Sequence, residues 1–88
     1  MEGTVRKINP ARGMVAIELR SDGFFTVVEV LGSVDLEVDD VIRGPLREIG
    51  NTELMNVTKN DTFDVVVQNF DVTAGQLPRQ LSVNENSR

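Results

Sequence analysis

Residues 3–9 read GTVRKIN and residues 12–17 read RGMVAI, and these two segments decide the fold of the chain. The link between them contains Pro10, and Gly13 follows it. Because proline fixes φ and glycine permits positive φ, the link predicts a tight turn between two strands. Along the second segment the apolar residues alternate, so one face is expected in a core and the other outside. The inward set is Val15, Ile17 and Leu19, and the outward set is Met14, Ala16 and Glu18.

The rest of the chain continues this strand pattern, with short β-branched runs broken by Gly, Pro, Asn and Asp. No segment has the pattern of a long amphipathic helix. The fourth strand is expected to be interrupted at Gly44-Pro45, and Gly50-Asn51 predicts a two-residue hairpin turn. Strands are predicted at residues 2–9, 13–20, 24–31, 41–49, 52–58 and 62–70.

The segment 32–40, between the third and fourth predicted strands, is acidic and irregular. Three aliphatic residues alternate through it, which predicts an extended loop held by small apolar anchors. Its carboxylates lack the spacing of a calcium-binding loop, so we interpret the segment as a solvated loop and not as a metal site. The aliphatic residues are Val34, Leu36 and Val38, and the acidic residues are Asp35, Glu37, Asp39 and Asp40.

The composition limits the chemistry of the chain. Its 88 residues predict one small domain with a modest core, and they include no cysteine and no histidine. Disulfides, the usual near-neutral acid–base group and the commonest zinc ligand are therefore excluded. No catalytic residue, cofactor or metal is assigned, and we expect the chain not to be an enzyme.

The charge and hydropathy of the chain favour a soluble protein. No apolar run approaches the ~20 residues of a membrane span, and Glu2 stands where a secretory leader would be basic. A cytoplasmic location without membrane partners is the expectation. The formal charge of −5 argues against a general electrostatic attraction to phosphates, although it does not exclude a local basic patch.

The two segments that open the chain resemble the cold-shock domain. That family carries Gly-Thr-Val-Lys-Trp-Phe-Asn, two variable residues and Lys-Gly-Phe-Gly-Phe-Ile, and this chain fits the frame without insertion or deletion. The resemblance extends weakly to about residue 59, through the sequence MNVTK at residues 55–59. It implies an all-β fold of OB type, a five-stranded Greek-key barrel, here with an additional C-terminal strand.

The resemblance also implies where nucleic acid would bind, but the family's aromatic residues are missing. Lys7 and Ile8 stand in place of tryptophan and phenylalanine, and stacking on such rings is worth ~1–3 kcal/mol per base. Three basic residues near the first turn remain, with Arg20 and Lys59 as further candidates. The predicted nucleic-acid-binding residues are Arg6, Lys7, Arg12, Met14, Ala16 and Val27, the last three being outward positions of the platform.

The sixth predicted strand is not accounted for by a five-stranded barrel. Its apolar face must be buried, either across the barrel itself or against the same strand of a second chain. Phe63, Val65 and Val67 are therefore candidate interface residues of a homodimer. The domain is expected to span residues 1–70, with a flexible tail at residues 71–88 because apolar residues become sparse there.

Two functions follow from these observations. The first is weak binding of single-stranded RNA or DNA through the remaining basic residues. The second is a protein-interaction or self-assembly module that does not bind nucleic acid. The family resemblance favours the first, whereas the excess of acidic residues and the extra strand favour the second.

Overall fold

The structure is a computed structural model, and it describes residues 1–82. Six strands are followed by a 3-10 turn at Ala74–Gln76 and one short helix. The elements are β1 (Glu2–Asn9), β2 (Met14–Leu19), β3 (Phe25–Val30), β4 (Val41–Arg43), β5 (Gly50–Asn56), β6 (Asp61–Val72) and α1 (Leu77–Leu81).

The six strands form one closed barrel in the order β1-β2-β3-β6-β5-β4, and every neighbouring pair is antiparallel. Strands β1–β3 form one meander and β4–β6 form a second, joined by the connection at residues 31–40. The mostly β fold is confirmed. The sixth strand is a member of the barrel wall, paired with both β3 and β5, and not an addition to a complete five-stranded barrel.

The barrel interior is filled by aliphatic side chains and Phe63, contributed by all six strands. Val15, Ile17 and Leu19 of β2 lie inside, as the alternation predicted. Leu46 also joins this core, although it lies in the loop between β4 and β5. Its carbonyl oxygen accepts a 2.6 Å hydrogen bond from the buried Thr26 hydroxyl, which fixes the loop to the barrel.

The segment between β4 and β5 differs from the prediction. β4 ends at Arg43, and Gly50-Asn51 begins β5 instead of forming a hairpin turn. A Cβ on Gly44 would lie 2.5 Å from Leu54 Cδ2, so a larger residue would have to displace this buried leucine, and the φ of +155° also favours glycine. The chain leaves the sheet at this point, and residues 44–49 form the loop that carries Leu46.

β1 contains a bulge at Arg6. The pairing with β2 passes from Val5 opposite Ile17 to Lys7 opposite Ala16, so Arg6 is the extra residue. Val5 lies in the core and Ile8, three residues later, packs against the same core. Strict alternation would place these two side chains on opposite faces, and the bulge brings both inward.

A second apolar cluster lies on the outside of the barrel beneath α1. Leu77 and Leu81 are four residues apart, so both face the sheet, and Pro78 in the first turn suits a helix start. Asn9 Nδ2 donates a 3.0 Å hydrogen bond to the carbonyl oxygen of Leu81. The cluster consists of Met14, Ala16, Phe25, Val27, Val72, Leu77 and Leu81.

The prediction of a flexible tail at residues 71–88 is therefore wrong for residues 71–82, which complete β6 and then form the 3-10 turn and α1. Two well-spaced leucines suffice to dock this segment, although its overall apolar content is low. Residues 83–88 lie outside the described part of the chain.

Candidate functional site: the covered outer face and the barrel mouth

The outer face of β2 and β3 holds three of the residues predicted to contact nucleic acid. Met14, Ala16 and Val27 point away from the barrel core, as the family frame implies, but all three are buried. Val27 has no exposed surface, because Leu77 and Leu81 of α1 belong to the same packed cluster. In this conformation Ala16 and Val27 have no accessible surface to offer a base, and Met14 has very little.

The three basic residues of the predicted patch differ in exposure and in their ion pairs. Arg6 Nε lies 2.8 Å from Glu18 Oε1, and Arg6 Nη1 lies 2.8 Å from Asp39 Oδ1. The hydrogen bond to Glu18 is the main cause that raises the pKa of Arg6. Lys7 is exposed on β1, and Arg12 is half-buried in the β1–β2 turn. The guanidinium of Arg6 is therefore paired with two carboxylates.

The two further basic candidates are also paired. Arg20 Nη1 lies 3.5 Å from Glu2 Oε1. Lys59 Nζ lies 3.3 Å from Asp35 Oδ1, 3.6 Å from Glu37 Oε2 and 3.5 Å from Asp40 Oδ2. Lys59 therefore fastens the acidic connection to the β5–β6 turn and is not part of a basic patch.

The three candidate interface residues on β6 lie inside the barrel. Phe63 is almost fully buried, and Val65 and Val67 have no exposed surface. Both edges of β6 are hydrogen-bonded, one to β3 and the other to β5. The structure therefore places these side chains in the core of a single chain and not on an exposed surface.

A pocket at one mouth of the barrel is the site that sequence reasoning missed. It has a volume of about 620 Å³ and lies between the β1–β2 turn and the start of the β3–β4 connection. Half of its lining residues are aliphatic, and four of these are core neighbours that the barrel leaves half-buried. The aliphatic lining consists of Ile8, Val15, Val30, Val34 and Leu36.

Two of the residues that line this pocket had been recognised in the sequence as apolar anchors of the acidic connection. Val34 and Leu36 were predicted as anchors of the acidic loop, and both pack against the core as expected. Val38, the third predicted anchor, is instead largely exposed. Both anchors are only half-buried and line the pocket, so they do not close this end of the core.

The acidic connection ends in a buried carboxylate. Burial alone raises the pKa of Asp40, but hydrogen bonds from Asn56 Nδ2 at 2.8 Å and from the Glu37 amide at 3.0 Å outweigh it, together with the Lys59 ammonium. The pKa of Asp40 is therefore lowered. The neighbouring Asp39 has φ of +83°, a conformation that favours glycine, and its amide donates to the carbonyl oxygen of Val5.

We expect the stability of the barrel to depend on the ionisation of Asp40. Because its folded pKa lies below that of the unfolded chain, its contribution is complete above about pH 4 and is lost as the pH falls through the folded value. Urea unfolding of the wild type and of Asp40→Asn between pH 7 and pH 2 should show a smaller acid-induced loss in the variant. Parallel curves for the two proteins would contradict the assignment, and Glu48→Gln, an exposed site, serves as the control.

Two further findings concern the described residues 1–82. No group of three or more metal-ligating side chains there is arranged to hold a metal ion. No helix in this part of the chain has the length and apolar character needed to cross a membrane. Comparisons with family models, curated proteins and solved structures found no match to the chain.

Proposed function

We propose that the chain is a non-enzymatic protein-interaction module, built on a barrel of OB type that resembles the cold-shock domain. The observation that carries this proposal is the burial of Met14, Ala16 and Val27 beneath α1. The surface that the family resemblance assigns to nucleic acid is used here for internal packing.

The OB-type assignment is supported by the placement of the opening segments. The sequences GTVRKIN and RGMVAI lie on β1 and β2, which form a meander with β3, and a long connection then leads to β4 beside β1. An OB barrel has five strands and is partly open. The sixth strand and the complete closure are therefore departures from that plan.

Electrostatics also argue against a nucleic-acid role. A groove that binds a single strand combines a positive surface with exposed aromatic rings. This chain has a net charge of −5, no tryptophan or tyrosine, and an arginine at the platform that is bonded to two carboxylates. A phosphate contact made by Arg6 would have to compete with those two carboxylates.

Protein binding is supported by apolar surface at the barrel mouth. Protein interfaces place an apolar centre within a polar rim. Half-buried aliphatic side chains surround the mouth pocket, and Leu31 and Val38 of the same connection are exposed. The exposed carboxylates of the connection form a polar margin beside them.

A second function is favoured by the size of α1. Isolated helices shorter than about 12–15 residues are marginal in water, and α1 has five residues held mainly by two leucines. Displacement of α1 would uncover the apolar outer face formed by Met14, Ala16 and Val27. Nucleic-acid binding that requires this displacement is therefore the alternative.

Titration of labelled single-stranded DNA and RNA with the protein tests the proposal. We expect no change in fluorescence anisotropy at micromolar protein, even at low salt, where electrostatic binding is strongest. Salt-dependent binding that Arg6→Glu with Lys7→Glu abolishes, without a change in circular dichroism, would overturn the proposal. Arg43→Glu, a reversal on β4, is the control for a general effect of charge.

A further inference from the structure

We infer that the mouth pocket receives an aliphatic side chain of a partner segment that carries basic residues beside it. This inference rests on the proposed function and names the chemistry of its partner. Three features of the pocket support it, namely its shape, its aliphatic lining and the negative charge of the connection that forms one wall.

The pocket has the properties of a binding site for an apolar group. Its volume of about 620 Å³ is within the range of roughly 300–1,000 Å³ that ligand sites occupy. Val15 at its floor belongs to the barrel core, whereas Ile8, Val30 and Leu36 on the walls are half-buried. An aliphatic side chain entering the pocket would complete the burial of these residues, and that burial is the driving force for association.

The connection that forms one wall has an excess of negative charge. Four carboxylates lie at residues 35–40. Lys59 pairs with three of them, and Arg6 pairs with Asp39 but also with Glu18, so the negative charges outnumber these two positive charges. Asp35 lines the pocket itself, and its side chain is 86% exposed. A basic residue of the partner can therefore reach this carboxylate while a neighbouring aliphatic side chain fills the pocket.

The two walls of the pocket differ in charge. Pro10 and Gly13 of the β1–β2 turn line one wall, and neither carries a charged side chain. The acidic connection with Asp35 forms the other wall. We therefore place the partner's basic residues over the acidic connection.

The closed barrel favours this mode of binding over strand addition. Strand addition requires an exposed sheet edge, and the six strands of residues 1–82 pair in a closed ring. The pocket is an opening at the end of this ring, so a side chain can enter it without disturbing a strand pair.

Three labelled peptides test the inference, each added to the full-length protein. The first is Gly-Ser-Leu-Leu-Lys-Lys-Ser-Gly, the second has both lysines replaced by glutamate, and the third has both leucines replaced by serine. We expect the first to shift the backbone amide resonances of Gly13, Gly32 and Ser33 at about 1 mM peptide. The other two should bind about tenfold more weakly.

Two matched pairs of variants locate the site. Ser33→Phe places a ring at the pocket, whereas Ser21→Phe changes an exposed serine in the β2–β3 turn. Asp35→Lys reverses the pocket carboxylate, whereas Glu48→Lys reverses an exposed carboxylate of the β4–β5 loop. The inference requires the first member of each pair to weaken binding of the leucine–lysine peptide about tenfold and the second to leave it unchanged.

The outcomes separate the inference from the proposed function. Equal binding of the serine peptide, absence of shifts at the three amides, or equal effects within a variant pair would overturn the inference. None of these results would by itself restore a nucleic-acid role, which the oligonucleotide titration measures independently. Oligonucleotide binding that competes with the peptide would overturn both.

Discussion

Val65→Asp is expected to unfold the protein. Val65 has no exposed surface and packs with Phe63 and Val67 in the barrel core, so the substitution buries a carboxylate among apolar side chains. An unpaired buried charge costs several kcal/mol, and the lost burial of valine adds about 1.5–3 kcal/mol. The total approaches the 5–15 kcal/mol by which whole domains are stable. Circular dichroism and dispersion of the amide resonances measure the loss of structure.

Val66→Lys is the matched control for this substitution. Val66 is half-buried and pairs with Glu29 of β3 and Asn51 of β5, so a lysine there can reach a carboxylate. We expect this variant to fold. A Val65→Asp protein that remained folded would contradict the single-chain barrel. If light scattering then showed a change in oligomeric state alone, the result would support the homodimer through β6.

Replacement of both α1 leucines is expected to have the second largest effect. Leu77→Ala with Leu81→Ala removes the side chains that cover the outer face. A buried leucine-to-alanine change costs about 2–5 kcal/mol in a rigid core. Here α1 can detach while the barrel persists, so we expect a total loss of about 3 kcal/mol and a rise in binding of an apolar fluorescent dye.

Arg79→Ala lies on the exposed side of the same helix and should leave both stability and dye binding unchanged. If the double variant also remained unchanged, α1 would not be the cover of the outer face. The oligonucleotide titration repeated on the double variant separates the two proposed functions. Binding that appears only after the leucines are removed would favour the function in which α1 is displaced.

The strands were predictable because local patterns agree with the final packing. The alternation of apolar and other residues in β2 predicts which of its faces lies in the core. Residues 3–9 have the pattern of one strand, although they contain the bulge. The bulge itself is visible in retrospect, since Val5 and Ile8 are both apolar at a spacing that a regular strand cannot bury. Closure of the barrel was not predictable, because it depends on the pairing of β3 with β6, which are separated by about thirty residues of chain.

The candidate site was less predictable than the fold. Met14, Ala16 and Val27 are outward positions, and nothing in the local sequence states whether an outward apolar side chain is exposed or covered. Their cover, α1, is a single turn and a half of helix that no periodicity signal detects. The mouth pocket arises from the ends of several elements, so it exists only once those ends are assembled.

The division into two meanders has a consequence for synthesis of the chain on the ribosome. The first meander, β1–β3, emerges with the exposed edges of β1 and β3 still unpaired. Their partners β4 and β6 follow later, and β6 is the last strand to appear. A chain that ends before residue 61 therefore lacks the partner of the outer edge of β3, and an unpaired strand edge of this kind is a template for aggregation.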